Sequence, residues 1–399
     1  MAILISPTRG RNAAILAGFL GWTLDAFDYF LVVLTLTAIG QEFHRSDAAI
    51  GFSLLLTLAF RPVGALVFGL LSDRFGRRLP LMINLVFYAV IEVLTGFSTS
   101  YGMFLVLRAL FGIGMGGEWG VGASLVMEKV SPKWRGFFSG LLQQGYALGY
   151  LLAALAYWYV FPRWGWRPLF FIGGLPALLA IFVRAQVSES EVWLKTREPT
   201  WGGLGRTLKS QIPLFLYLTV LMALMNMSSH GTQDLYPTFL KRAWQLTPRG
   251  VSWVTIVSMI GALIGGIVFG HWSERLGRRK TITLTLLGAV LVVPLWAFAP
   301  SLALLVVGAF LMQFLVQGAW GVIPAHITEL VPDQVRGALP GFAYQCGALI
   351  SGAMPFLQPK VAETLGYPAT MALSAGAAFL ICALVTSLGK EKRGVVYGA

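Results

Sequence analysis

The sequence predicts an all-α polytopic membrane protein, with twelve transmembrane helices in two pseudo-symmetric six-helix bundles. Three observations carry this: the composition, the spacing of apolar runs and an internal repeat. Of 399 residues, 56% are hydrophobic and 12% charged, and the mean hydropathy is +0.72. A soluble domain carries about 25% charged residues, so this chain cannot coat a water-facing globule of its length. A soluble enzyme, a disordered chain and a disulfide-stapled secreted domain are excluded. The two cysteines, Cys346 and Cys382, lie within apolar runs and read as small apolar side chains.

A helical span needs about 20 mostly apolar residues. Runs near 13–39, 50–71, 79–98, 102–126, 137–160 and 167–186 meet that need. A polar stretch follows at 187–211, and six more runs lie near 212–239, 251–271, 281–299, 302–327, 336–357 and 368–388. Barrel strands would give shorter, alternating segments. The expected organisation is a bundle over 1–186, a linker over 187–211 and a second bundle over 212–399. The first run carries Asp25 and Asp28 and is longer than the apolar core of a signal peptide, so it is expected to remain as a span.

Lysine and arginine are distributed unevenly. With the N-terminus inside, 21 of the 30 fall in inside segments, seven in outside loops, and Arg61 and Arg108 within spans. This asymmetry predicts a multi-pass cell-membrane protein with both termini cytoplasmic. It also accounts for the net charge of +13 without a nucleic-acid partner. The lipid bilayer is the surface this charge faces.

The repeat relates positions 201 apart. Ser72-Asp73-Arg74-Phe75-Gly76-Arg77-Arg78 returns as Ser273-Glu274-Arg275-Leu276-Gly277-Arg278-Arg279. The same offset relates Trp119-Gly120 to Trp320-Gly321, Glu128 to Glu329, Arg135-Gly136 to Arg336-Gly337, and Gln144 to Gln345. Repeats of six spans run parallel, an arrangement that binds substrate near mid-membrane between two halves.

The repeated loop, Gly-x-x-x-[Asp/Glu]-Arg-x-Gly-Arg-Arg at Gly69–Arg78 and Gly270–Arg279, resembles the signature loop of the major facilitator superfamily. Asp73, Arg74, Arg77, Glu274, Arg275 and Arg278 are the expected gate residues. The acids are suited to cap helix N-termini and the arginines to pair across the gap, while Gly76 and Gly277 permit a tight turn.

Charges within spans need partners or water. Span 4 holds Arg108 and Glu118, ten residues apart and so about 15 Å along a helix. The expected partner of Arg108 is therefore Asp28 on span 1. Asp25 and Asp28 share a helix face. With Arg108 and Glu118 they form the expected proton-coupling group, since adjacent buried carboxyls shift each other's titration. Arg61 on span 2 is either a structural partner of Asp25 or Asp28 or the ligand of a substrate carboxylate. Glu92 on span 3 is expected to be structural or to snorkel.

Span 7 reads Asn226-Met-Ser-Ser229-His230-Gly-Thr232-Gln233-Asp234-Leu-Tyr236-Pro237-Thr238. Asn226, His230, Gln233 and Pro237 follow helical spacing, and a polar stripe of this kind is expected to face a wet cavity rather than lipid. The run resembles the Asn-x-x-[Ser/Thr]-His-x-[Ser/Thr]-Gln-Asp-x-x-x-Thr motif of Jen-type lactate/pyruvate:proton symporters. The first two spans are similar to a wider group that includes bacterial sialic acid permeases. The resemblance implies a proton symporter for small carboxylates, with the span 7 motif engaged in transport; Asp28, His230 and Asp234 are the expected proton carriers. Gln143, Gln144 and Tyr146 on span 5, and Tyr344 and Gln345 on span 11, are expected to line the pocket with Arg61, Asn226, Ser229, His230 and Gln233. His271 is expected near the gate; His326 suggests no role.

No phosphate-binding loop, metalloprotease motif or nucleophile elbow occurs, so neither an ATP-driven pump nor an intramembrane enzyme is expected, and no cofactor or metal. The expected function is proton-coupled symport of a lactate- or pyruvate-class monocarboxylate by a functional monomer. The alternatives are a sialic or aromatic acid as substrate, or a membrane receptor that binds an organic acid without moving it.

Overall fold

The computed structural model describes residues 7–45, 47–198, 200–233, 235–352 and 354–398. The first half contains α1 (Pro7–Glu42), α2 (Asp47–Phe75), α3 (Arg78–Gly96), α4 (Tyr101–Lys129), α5 (Arg135–Gln143), α6 (Gly145–Trp164), α7 (Arg167–Ile172) and α8 (Pro176–Gln186). The linker forms two short helices, α9 (Glu191–Thr196) and α10 (Trp201–Ser210). The second half contains α11 (Ile212–Gln233), α12 (Tyr236–Arg242), α13 (Pro248–Leu276), α14 (Arg278–Ala297), α15 (Leu302–Leu330), α16 (Leu339–Ser351), α17 (Met354–Leu365) and α18 (Tyr367–Leu388). No strand occurs among the described residues. Among the described residues, nine stretches are long and apolar enough to cross a membrane. The remaining three spans are the broken pairs α5–α6, α7–α8 and α16–α17.

The 201-residue repeat is visible in the helix boundaries. It maps α2 onto α13, α4 onto α15, and the 3-10 turn Pro132–Trp134 onto Asp333–Val335. Equivalent caps recur too. Ser100 accepts from the Met103 N–H at 3.2 Å to start α4, and Ser301 accepts from Leu304 at 3.4 Å to start α15, each satisfying a donor that the first helical turn leaves open.

Four spans break where hydropathy alone reads them as continuous. Span 5 turns at Gln144. Span 6 turns at Gly173 and Gly174, before Pro176 restarts the helix at a position where its missing N–H costs nothing. Span 7 ends its first helix at Gln233, and span 11 ends its first at Ser351. The predicted stripe on span 7 is corrected accordingly: Pro237 belongs to α12 and does not share a helix with Asn226, His230 and Gln233. Asp234 lies outside the described residues.

Within each half, glycines bring backbones together. A Cβ added at Gly64 of α2 would overlap the Ile113 carbonyl of α4, and one at Gly265 of α13 would overlap the Phe314 carbonyl of α15. Small residues at such crossings are the usual means of packing membrane helices, because lipid supplies no hydrophobic drive between them. The two halves meet where α5 packs on α13 and α15, and where α16 packs on α2 and α4. All of this lies on the side of the signature loops, the basic face. Beyond the breaks, α6 packs mainly on α1, and α17 on α18 and α11.

Gly64→Ala should therefore strain the α2–α4 crossing by about 1–3 kcal/mol and lower the melting temperature of the detergent-solubilised protein. Gly102→Ala, where an added Cβ meets nothing within 4 Å, should not lower it. Equal melting temperatures for both would contradict the close crossing.

Candidate functional site

The first half buries an ionic cluster at its centre. Asp25 and Asp28 on α1, Arg61 on α2, Glu92 on α3, and Arg108 and Glu118 on α4 are all buried. Glu92 and Arg108 form a fork-to-fork pair, at 2.8 and 3.3 Å, and the Arg108 guanidinium also lies 4.2 Å from the Phe111 ring centroid. This corrects the expected Arg108–Asp28 pairing. Helix α3 lies directly against α4 and delivers a carboxylate that takes both terminal Nη groups of the guanidinium. Glu92 accordingly has a structural role and does not snorkel.

The other three acids are arranged differently. The carboxylate oxygens of Asp25, Asp28 and Glu118 accept no hydrogen bond among the described residues. Glu118 faces α1 at Gly21, and Asp28 faces the span 6 break at Gly173, which a Cβ would fill. Asp25 lies within electrostatic reach of Arg61 and of Glu118. Arg61 makes no ion pair among the described residues, and its Nε and one Nη have no partner there. Its guanidinium instead sits over Tyr344 of the second half, 5.9 Å from the ring centroid.

Aromatic rings surround this junction. Trp119 of α4 lies 4.7 Å from Tyr344, Trp320 of α15 approaches Tyr344 edge-on at 5.9 Å, and Trp22 of α1 meets Trp119 at 6.5 Å. Tyr146 stacks on Trp22 at 5.6 Å. The indole N–H groups of Trp22, Trp119 and Trp320 and the whole amide of Gln345 are buried without a partner among the described residues. The walls therefore combine π faces with several available donors. Sequence reasoning placed Tyr146, Tyr344 and Gln345 here but overlooked the tryptophans. The repeat relating Trp119 to Trp320 was the available signal.

The span 7 residues divide. The Asn226 amide donates to the Met222 carbonyl of its own helix at 2.7 Å, and His230 is half-buried one turn further on. Three motif residues fasten α11 to α15: Gln233 donates to Gln313 at 3.0 Å, Gln313 donates to Thr232 at 3.1 Å, and Gln317 donates to Ser229 at 3.3 Å. Gln313 and Gln317 were missed. Their spacing of four within an otherwise apolar span was the signal. Gln144 donates to Gly140 at 3.4 Å and stands against Gly266 of α13, in the seam between halves.

At the basic face the halves are joined by two equivalent ionic knots. In one, Arg77 pairs with Asp73 and with Glu128 at 2.9 Å. Asp73 accepts from the N–H groups of Gly337 and Ala338, at 2.8 and 3.0 Å, capping α16 of the other half. Arg336 of the second half stands 3.7 Å from Glu128. In the other, Arg278 pairs with Glu274 at 3.2 Å and Glu329 at 3.0 Å, Glu274 accepts from the Gly136 N–H at the start of α5, and Arg135 reaches Glu329 at 3.1 Å. Gly76 and Gly277 hold φ values of 99° and 96°, open to glycine and strained for other residues, so that Arg77 and Arg278 turn inward. The expected gate set needs one correction. Arg74 lies over the Phe75 ring and Arg275 is exposed, and neither forms an ion pair among the described residues. Each stands before the turning glycine.

Comparison with known proteins agrees with this architecture. A sequence profile described as "Sugar (and other) transporter" matches residues 8–200, and one described as "Major Facilitator Superfamily" matches residues 216–395. The chain belongs to the major facilitator superfamily. It is thus a membrane transporter and not an enzyme. The solved proton:xylose symporter XylE shares the fold, with a TM-score of 0.79 over 98% of both chains at 17% identity. A carboxylic acid transporter protein homolog of Saccharomyces cerevisiae is 29% identical, over 94% of this chain and 67% of that protein. A cis,cis-muconate transport protein of Acinetobacter baylyi is 27% identical, over 95% and 94%. A sialic acid transporter of Escherichia coli is 27% identical, over 89% and 88%. These similarities support a multi-pass transporter of organic acids and metabolites.

Breaking a buried pair leaves a bare charge and costs about 3–5 kcal/mol, whereas replacing both partners by apolar residues is often neutral. In this superfamily member, Glu92→Leu should lower the melting temperature by several degrees, and Glu92→Leu with Arg108→Leu should recover most of the loss. Additive losses in the double variant, read by thermal unfolding in detergent, would contradict the pairing.

Proposed function

We propose that the protein is a proton-coupled symporter of a small monocarboxylate, the lactate and pyruvate class, working as a monomer by alternate exposure of a site between its halves. The observation that carries this is Arg61. It is a buried guanidinium facing the opposite half across Tyr344, with Nε and one Nη unpaired among the described residues although the unpaired carboxyls of Asp25, Asp28 and Glu118 lie in the same half. A planar fork of this kind matches a carboxylate. Gln345 and the indole donors add hydrogen bonds, and Tyr146 supplies a wall. Asn226, Ser229 and Gln233 shape the second half of the site, with His230 beside it.

Charge balance argues for proton coupling. In the central cluster of the first half, the four buried carboxyls of Asp25, Asp28, Glu92 and Glu118 share the two guanidiniums of Arg61 and Arg108. Full ionisation would leave two uncompensated negative charges in an apolar interior, at a cost of several kcal/mol each. Protons on Asp25, Asp28 or Glu118 are the available counterions. Entry of a carboxylate beside Arg61 removes that cation from Asp25 and favours a proton there, so that the two loads arrive together. The basic face is read as cytoplasmic. With that side cytoplasmic, an inward proton gradient drives import across the cell membrane.

A second reading is favoured by the aromatic walls: a planar unsaturated or aromatic acid stacked against the ring cluster of Trp22, Trp119, Trp320 and Tyr344 in place of lactate.

The test is uptake of labelled L-lactate into proteoliposomes under an inward pH gradient. Wild-type protein should accumulate lactate, and Arg61→Gln should reduce uptake by about tenfold or more, the loss expected for removal of a charged hydrogen-bonding partner. Asp28→Asn should abolish accumulation driven by pH while preserving exchange. Uptake by Arg61→Gln at the wild-type rate would overturn the assignment. Absence of lactate flux, with nicotinate or muconate transported, would select the second reading.

A further inference from the structure

We propose that the segment following α18 is a strap across the basic face, and that Tyr397 is its positioning residue in the transport cycle. The segment is anchored to the second half at several points. Glu391 accepts from the Arg279 N–H at 2.9 Å, Lys392 donates to the Leu330 carbonyl at 3.2 Å, and Arg393 donates to the carbonyls of Glu274 and Arg275. The Gly398 N–H donates to Asp333 at 2.7 Å. Among the described residues, one hydrogen bond reaches the first half, from Arg135 to the Val395 carbonyl at 3.0 Å.

Between these anchors the ring of Tyr397 is buried between two arginines. Its centroid lies 3.7 Å from the Arg135 guanidinium and 3.6 Å from that of Arg336. Its hydroxyl donates to Thr328 at 3.3 Å, and burial pushes that hydroxyl up to about 12, so it stays neutral. Arg135 comes from the first half and Arg336 from the second, and each faces a glutamate of the opposite half. One ring therefore touches both ionic contacts that cross the seam. The face of an aromatic ring attracts a cation, more strongly where both are shielded from water. Two cations sharing one ring, which would otherwise repel, are held in register to meet Glu329 and Glu128. When the halves part at this face, the ring must release Arg135, because the strap travels with the second half. Tyr397 thus favours the state in which the basic face is closed, acting through the two arginines and not on the substrate.

This inference uses the separation of the halves at the basic face but not the identity of the substrate, so its test contains no substrate. Spin labels at Ser131→Cys and Lys280→Cys, both exposed, report the gap between halves in a Cys346→Ala background. The readout is the population of the long distance in full-length protein reconstituted in lipid. Tyr397→Ala and Tyr397→Leu should each raise that population by at least about threefold, and Tyr397→Phe, which keeps the π face, should stay close to wild type. Glu329→Gln, which breaks a crossing contact directly, should also raise it and calibrates the probe. A wild-type distribution for Tyr397→Ala would overturn the proposal, even with a lowered melting temperature, because the strap would then be structural only. Matching distributions for Tyr397→Leu and Tyr397→Phe would equally overturn it, since the π face would not matter. If Tyr397→Ala does not fold, the comparison of Leu with Phe decides.

Discussion

A charge removed from water must be neutralised nearby, and in a membrane protein there is little water to fall back on. That requirement organises this molecule. The buried ion pairs occur at two levels. Glu92 and Arg108 brace the first half internally, and the twin knots around Arg77 and Arg278 join the halves at the basic face. Because those knots cross the seam, the pairing that satisfies the charges also selects the conformation. Arg61 is the buried cation left outside both levels, and the functional reading rests on it.

The two halves share a fold but divide the polar groups unequally. The first half carries Asp25, Asp28, Arg61, Glu92, Arg108 and Glu118, a charged interior. Among the described residues, the second half carries Asn226, Ser229, Gln233, Gln313, Gln317 and Gln345 in the corresponding region, a neutral one. Gln313 and Gln317 stand where the repeat has Gly112 and Gly116, so one half uses those positions for close backbone packing and the other for an amide network. Amides hold helices together without any change of charge. Carboxyls can accept and release protons. The asymmetry sets a cluster of buried carboxyls in the first half against a network of amides in the second.

Much of this was legible in the sequence because it depends on periodicity and repetition. The doubled loop at Asp73 and Glu274 marked the basic face, and the 201-residue offset carried through to helix boundaries and caps. Other features depend on contacts between spans that hydropathy does not encode. Apolar length cannot report the turns at Gln144 and Gly173, which reflect local backbone geometry within an unbroken apolar run. The partner of Arg108 was misassigned because carboxylates on two different spans were equally available to it in one dimension, and only the packing of α3 on α4 favours Glu92. The polar run on span 7 was read as cavity lining, yet Ser229, Thr232 and Gln233 bond α15, whose amides look like isolated polar residues in the sequence. Arg74 and Arg275 match Arg77 and Arg278 in type, but among the described residues only the two that follow the positive-φ glycines reach the buried acids.

The central claim is that one proton accompanies one monoanion through a site whose fixed cation is Arg61. Such a cycle moves no net charge. The direct measurement is charge movement on a solid-supported membrane beside internal pH in proteoliposomes, after addition of lactate without a pH gradient. The account predicts internal acidification matched to lactate entry, no sustained transport current, and no effect of an imposed potential, which would otherwise contribute about 2.3 kcal/mol per charge per 100 mV. A steady current, or lactate entry without acidification, would contradict it.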